Sequence, residues 1–260
     1  MTPYDAVLAG WGALAFLMLV LWFIQWRRHD ASIVDVGWTF GMGALAVFYA
    51  LVIPPLSARQ AVVGTLASAW ALRLMVFLLR DRILGKPEDG RYQKLRRDLG
   101  SRAQAWFFGF FQMQALAAVA FSLSFLAAMR NPATPWTPFD VAAVVVWAIA
   151  VSGESIADAQ LARWRANPAH RGRTCRSGLW SWSRHPNYFF EWLHWWTYVL
   201  FAIGSPFVWI ALFGPAAMLF LLFRVTGIPT TEARALESRG DDYRDYQRTT
   251  SAFIPWPPRS

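Results

Sequence analysis

AWFFGFFQMQALAAVAFSLSFLAAM, residues 105–129, carries no charged side chain over 25 positions. A helix of that length rises about 37 Å at 1.5 Å per residue, more than the roughly 30 Å hydrocarbon core of a bilayer. Arg102 and Arg130 bracket it. Comparable apolar runs lie at 5–26, 32–53, 60–80, 138–160, 187–204 and 206–224. The composition agrees, since 56% of the chain is hydrophobic, 17% aromatic and only 16% charged, against roughly 25% charged in a soluble domain. The expectation is an all-α integral membrane bundle of seven transmembrane helices. Residues 1–260 form one domain, because no repeat, linker or low-complexity stretch divides them.

The connectors sort by charge. Arg27 and Arg28 follow the first run, loop 81–104 holds Arg82, Arg91, Arg96 and Arg97 among others, and loop 163–186 has six arginines and no acid. The intervening connectors hold Arg59 or Arg130 alone, or no cation at all in Gly204-Ser205-Pro206. Basic connectors mark the cytoplasmic side. This places the N-terminus outside and the C-terminal segment 225–260 in the cytoplasm. The tail from Glu232 to Trp256 reads as a helix folded back on the loops. Arginine-rich loops and the lack of a basic n-region or small-residue cleavage site point to a bacterial inner membrane and no removable signal peptide.

The net charge of +9 suits an anionic lipid or a phosphate ligand. No basic helix with interleaved polar residues calls for nucleic acid, and no obligate protein partner is evident. The single cysteine, Cys175, excludes an internal disulfide or a cysteine metal cluster. No His/Asp/Glu grouping has metal-ligand spacing, and neither GxGxxG nor GxxxxGK[ST] occurs.

Charged residues within a spanning helix cost about 2.5–3.5 kcal/mol each on insertion scales, so each asks for a reason. Asp35 opens the second run, either as a helix-start carboxylate or as an acid facing a cavity. Arg73, two turns before the end of the third, either snorkels to the interface or pairs with Asp35 or a phosphate. Glu154, Asp158, Leu161 and Arg165 share one helical face, as a structural ladder or as acceptors for ribose hydroxyls and an adenine amine. RHPNYFFEW, residues 184–192, puts Pro186 in a first helical turn and Asn187, Glu191, Trp195 and Tyr198 on one face. Arg184 and His185 stand at its mouth, where cations and helix amides favour an anion. Arg224 ends the last run and Glu232 follows. The arginines 73, 91, 165, 173, 184 and 224 are expected on one face of the membrane with acids among them. Lipid headgroups need only the cations, whereas a nucleotide uses both.

SIVDVGW, WALRLMVFLLR, EDGRYQKLR, ESIADAQLARWR, GLWSWSRHPNYFFEWLHWW and TSAFIPW together resemble the bacterial branch of the steroid 5α-reductase family, over nearly the whole chain. The resemblance implies a seven-helix enzyme with NADPH inside the bundle, reducing the Δ4 double bond of a 3-oxo-Δ4 steroid or similar enone lipid that enters from the bilayer. It places Asn187, Tyr188, Glu191 and Trp195 along the cofactor, with Asp158 and Arg165 at its adenosine end. Arg91 and Arg224 match family arginines, and Arg73, Arg173, Arg184, His185 and Glu232 complete the expected cofactor set. The catalytic set is Asp35, Trp70 and Glu191. Trp70 stands where the mammalian enzymes have a Tyr, and an indole N–H donates a hydrogen bond but no useful proton. Asp35, kept protonated by desolvation, is therefore the expected acid. The competing reading is an S-adenosylmethionine-dependent membrane methyltransferase of the isoprenylcysteine carboxyl methyltransferase type, which shares RHPxY-like motifs.

Overall fold

The computed structural model describes residues 1–225 and 227–259. In chain order the helices are α1 (Pro3–Arg28), α2 (Ile33–Val52), α3 (Ala58–Leu78), α4 (Gly90–Leu99), α5 (Ala103–Met129), α6 (Pro138–Ala166), α7 (Pro186–Ala202), α8 (Val208–Ala211), α9 (Phe213–Phe220), α10 (Ile228–Arg239) and α11 (Asp241–Thr249). No strand occurs among the described residues. The chain divides into two compact units, Met1–Pro132 with Gly204–Ala211, and Ala133–Ile203 with Leu212–Ser260.

In the first unit, α1 starts where Thr2 Oγ1 accepts from the Asp5 N–H at 3.1 Å, with Pro3 in the first turn, a combination that satisfies and preforms a helix start. Its outer side leaves Trp11, Phe16 and Phe23 exposed, an apolar surface suited to lipid. α2 and α3 pack backbone to backbone through small residues. A Cβ on Gly43 would lie 3.0 Å from the Ala71 Cβ, and one on Gly64 2.8 Å from the Ala50 Cβ. Gln60 Nε2 donates to Ile53 O at 2.8 Å and to Tyr49 O at 3.1 Å, tying off carbonyls that the end of α2 leaves open. A π-helical turn, Leu79–Ile83, carries α3 onward. Trp70, Tyr49, Phe107, Phe111 and Phe125 fill the core. α8 joins α5 through Ser124 Oγ, which donates to Ala211 O.

In the second unit, α6 begins with a reciprocal cap. Thr137 Oγ1 accepts from the Asp140 N–H, and Asp140 Oδ2 accepts from the Thr137 N–H, closing two open donors. α6 and α7 meet where Phe190 lies over Gly153, so that a Cβ there would come within 2.5 Å of the ring. Gly153→Ala is therefore expected to cost about 1–3 kcal/mol by overpacking. The same change at Gly109, whose Cβ would meet nothing within 4 Å, is expected to be neutral or stabilising. Melting in detergent compares the two.

The tail is two helices and a strap rather than the single helix expected. Gly240, at φ 55°, turns the corner between α10 and α11, a conformation that favours glycine. Asp241 and Asp242 then suit the start of α11. Tyr243 and Tyr246 bury against Ala235. Beyond Thr249 the chain, bent at 252–254, passes along residues 182–184. Arg184 N–H donates to Ser251 O at 2.8 Å, Ser183 Oγ to Phe253 O at 2.8 Å, and Trp256 N–H to Trp182 O at 2.9 Å.

Among the described residues, six helical segments are long and apolar enough to cross a membrane: Pro3–Arg28, Ile33–Val52, Ala58–Ile83, Gly90–Met129, Pro138–Ala166 and the stretch from Val208. The chain is a multi-pass membrane protein. The run expected at 187–204 forms α7, whose 17 residues rise about 25 Å, which leaves it outside the six. That helix is also dense in polar aromatics rather than uniformly aliphatic.

Candidate functional site

Both units hold clusters of polar side chains. In the first, Asp35 sits in the opening turn of α2. Its Oδ2 accepts from Arg82 Nη1 at 2.8 Å and from Arg91 Nη2 at 3.1 Å, and its Oδ1 accepts from the Tyr92 phenol at 2.9 Å. The π-helical turn delivers Arg82, and α4 delivers Arg91 and Tyr92. Asp89 starts α4 by accepting from the Arg91 N–H at 2.9 Å, and it also grips the Arg91 guanidinium through both oxygens at 3.1 Å. Burial pushes the Asp89 carboxyl up, but these bonds and the charges of Arg91 and Arg82 outweigh it and hold it below the usual carboxylate range. Ser32 Oγ accepts from the Asp89 N–H at 2.9 Å, and Glu88 Oε1 accepts from the Ala31 N–H at 2.8 Å. The EDGRY segment is thus stitched to the start of α2.

Asp35 therefore pairs with Arg82 and Arg91. The Arg73 guanidinium lies over the Phe77 ring, 5.5 Å from its centroid. In this cluster Asp35 meets two guanidiniums and the Tyr92 phenol. Tyr92 is buried, and Trp70 is wholly so.

In the second unit, Asp158 and Glu154 on α6 are both buried. Asn187, in the first turn of α7, donates through Nδ2 to Asp158 Oδ1 at 3.2 Å. One turn later Trp195 Nε1 donates to Glu191 Oε1 at 3.3 Å. A further pair, Tyr198 Oη and His194 Nε2 at 2.8 Å, is fully buried. At the start of α7, Glu232 of α10 gathers four partners. Arg184 Nε donates to it at 2.6 Å, Gln247 Nε2 at 2.8 Å and the Tyr243 phenol at 3.3 Å, and His185 Nε2 lies 3.2 Å away. The His185 ring stacks on Tyr188, whose hydroxyl meets Thr231 Oγ1 at 3.2 Å. Arg224 lies exposed in the π-helical turn Leu221–Val225.

Burial lowers the His185 pKa more than the Glu232 carboxylate raises it, and Arg184 adds to the lowering. The folded protein thus favours neutral imidazole, whereas an unfolded chain takes up the proton near pH 6.5. Stability from this residue is complete above about pH 6.5 and is lost as pH falls from there through the lowered folded-state pKa. Melting between about pH 7.5 and 5.5 is expected to show an acid-side loss that His185→Gln reduces.

A cleft of about 390 Å³ lies in the same unit, at the end of α6 and the loop after it. Arg165, Arg171, Arg173 and Arg239 line it, and no carboxylate does. Trp164 and His170 stack beside it, 3.6 Å between centroids and 12° from parallel.

Of the residues expected from the sequence, Asp35, Trp70, Arg73 and Arg91 belong to the first unit, and the others to the second. The structure brings together Asp35 with Arg91, Asp158 with Asn187, Glu191 with Trp195, and Arg184 and His185 with Glu232. It places Arg165 and Arg173 on one cleft. Arg82, Asp89, Tyr92, His194, Trp164, His170 and Arg239 were not foreseen. Asp89 was open to detection, since an Asp followed by a helix-forming stretch is a cap signal. Arg82 and Tyr92 reach Asp35 across long chain separations, whereas His194 with Tyr198 and Trp164 with His170 are local pairs.

No curated protein and no solved structure matches this chain. Residues 21–250 match a family model described as a protein of unknown function, DUF1295, and the chain belongs to that family.

Proposed function

We propose that the chain is an NADPH-dependent reductase of the double bond in an apolar, steroid-like enone. The observation that supports it best is the composition of the second unit. Buried carboxylates on α6 and the half-buried Asn187 and Glu191 on α7 share that unit with a cleft carrying four guanidiniums. A dinucleotide uses both, phosphates on the cations and ribose or base on the acceptors. S-adenosylmethionine has no phosphate and leaves the cleft without a use.

When bound, NADPH supplies a hydride for the β-carbon of the enone. Arg165 and Arg173 would hold phosphate, Asp158 the adenosine end, and Asn187, Glu191 and Trp195 the stretch along α7. Arg184, His185 and Glu232 fix the entry to α7. As hydride arrives, negative charge develops on the enone oxygen, where an aimed donor lowers the barrier.

The reading counts α7 as a seventh span, with the N-terminus outside and the Arg-rich loops and cofactor side in the cytoplasm of a bacterial inner membrane. The apolar substrate enters from lipid. The test is melting in detergent with NADPH, NADH or S-adenosylmethionine in turn, since a ligand at 100 times its Kd adds about 2.7 kcal/mol. A shift with NADPH alone supports the reductase. A shift with S-adenosylmethionine alone replaces it with the methyltransferase.

A further inference from the structure

The end of the chain carries an apolar surface that the polar clusters do not use. In the strap, Phe253 is buried. Its ring packs 5.2 Å from Phe223 near the end of the last apolar stretch, and 5.7 Å from both Phe189 and Trp192 in the opening turns of α7. The strap therefore runs at the level where α7 begins and the last apolar stretch ends. Its neighbours point outward. Ile254 is 59% exposed, Trp256 67% and Trp182 48%. The backbone bond from Trp256 to Trp182 holds the two indole-bearing segments side by side. Phe220, Phe223 and Val225 are exposed on the adjoining stretch. Arg259, three residues past Trp256, is exposed, and its N–H is anchored to Thr249 O at 2.8 Å.

We propose that this strap is an interfacial membrane anchor, with Trp182, Ile254 and Trp256 seated among lipid headgroups and upper acyl chains, and Arg259 meeting anionic headgroups. Three features favour lipid over another occupant. The patch adjoins exposed apolar side chains at the end of the last stretch, through Phe253 packed on Phe223. Tryptophan is enriched at the membrane–water interface, where its ring is apolar and its N–H polar. A cation just beyond the aromatics suits an anionic leaflet. The tail is thus not a free aqueous appendage. The strap is also bonded to the segment carrying Ser183 and Arg184, so seating it in lipid steadies the start of α7. This inference stands on the packing of the second unit alone and does not depend on the reductase reading.

The test is photocrosslinking of the full-length chain in nanodiscs containing phosphatidylglycerol. Trp256→p-benzoylphenylalanine, and Ile254→p-benzoylphenylalanine as a second position, alter exposed side chains. Trypsin cleaving after Arg248 and Arg259 releases the labelled peptide for mass spectrometry. A lipid adduct on that peptide at either position, with none at Asp241→p-benzoylphenylalanine, is the expected result, since the Asp241 side chain is 90% exposed and belongs to the polar helix α11. A crosslinked dimer without lipid adduct assigns the patch to a second copy and overturns the proposal. An unreacted label at both positions places the patch in water and overturns it too.

Discussion

Glu232→Ala is expected to cost about 3 kcal/mol of stability, the usual effect of removing one partner from a buried ion pair. Its side chain is 14% exposed, Arg184 is 12% and His185 4%, so water does little to replace the lost carboxylate. The substitution removes the acceptor of Arg184 Nε, the Tyr243 phenol and the Gln247 amide, while Arg184 Nη1 keeps the Gln247 and Thr250 carbonyls. At roughly 2–4 °C per kcal/mol for a chain of this size, the melting temperature should drop by about 6–12 °C. Arg244→Ala is the matched control. Its pair with Asp241 is exposed on both sides, and such pairs contribute about 0–1 kcal/mol. Equal losses in the two variants would show that the Glu232 cluster does not hold the tail to the start of α7.

Glu191→Gln carries the second large effect, and it is on turnover rather than on fold. Glutamine keeps an oxygen for the Trp195 N–H, which now lies 3.3 Å from the carboxylate, so the shape of α7 is retained. The charge is lost. Under the reductase reading, turnover should fall about 100-fold or more, the range of a positioned acid–base or charge-stabilising group. The unliganded melting temperature should stay near that of the parent. Near-normal turnover would remove Glu191 from the site.

The two effects differ in how well the sequence announced them. Glu191 and Trp195 are four residues apart, and helical periodicity alone puts them on one face. Asp158 and Asn187 were each singled out, though their contact across α6 and α7 was not. Six apolar runs were legible because hydropathy over about 20 residues is a strong signal. α7 is less distinct, being shorter and rich in Trp, His and Tyr. The partners of Asp35 were illegible. Arg73 looked nearest along a helix pair, yet Arg82 and Arg91 take the place, because a π-helical turn and the cap at Asp89 swing them onto the start of α2. Such turns depend on tertiary packing, and no local pattern signals them. The tail was expected as one helix, and the corner at Gly240 breaks it; the strap beyond depends on bonds to residues some 70 positions earlier.

That nucleotide and enone meet in one reductase is the central claim, and one measurement bears on it most directly. Purified protein is incubated with NADPH and progesterone or testosterone, and the steroid is read by mass spectrometry. The reductase predicts a product heavier by two hydrogens that forms only with NADPH. Absence of product, together with no change in melting temperature on adding NADPH, would contradict it.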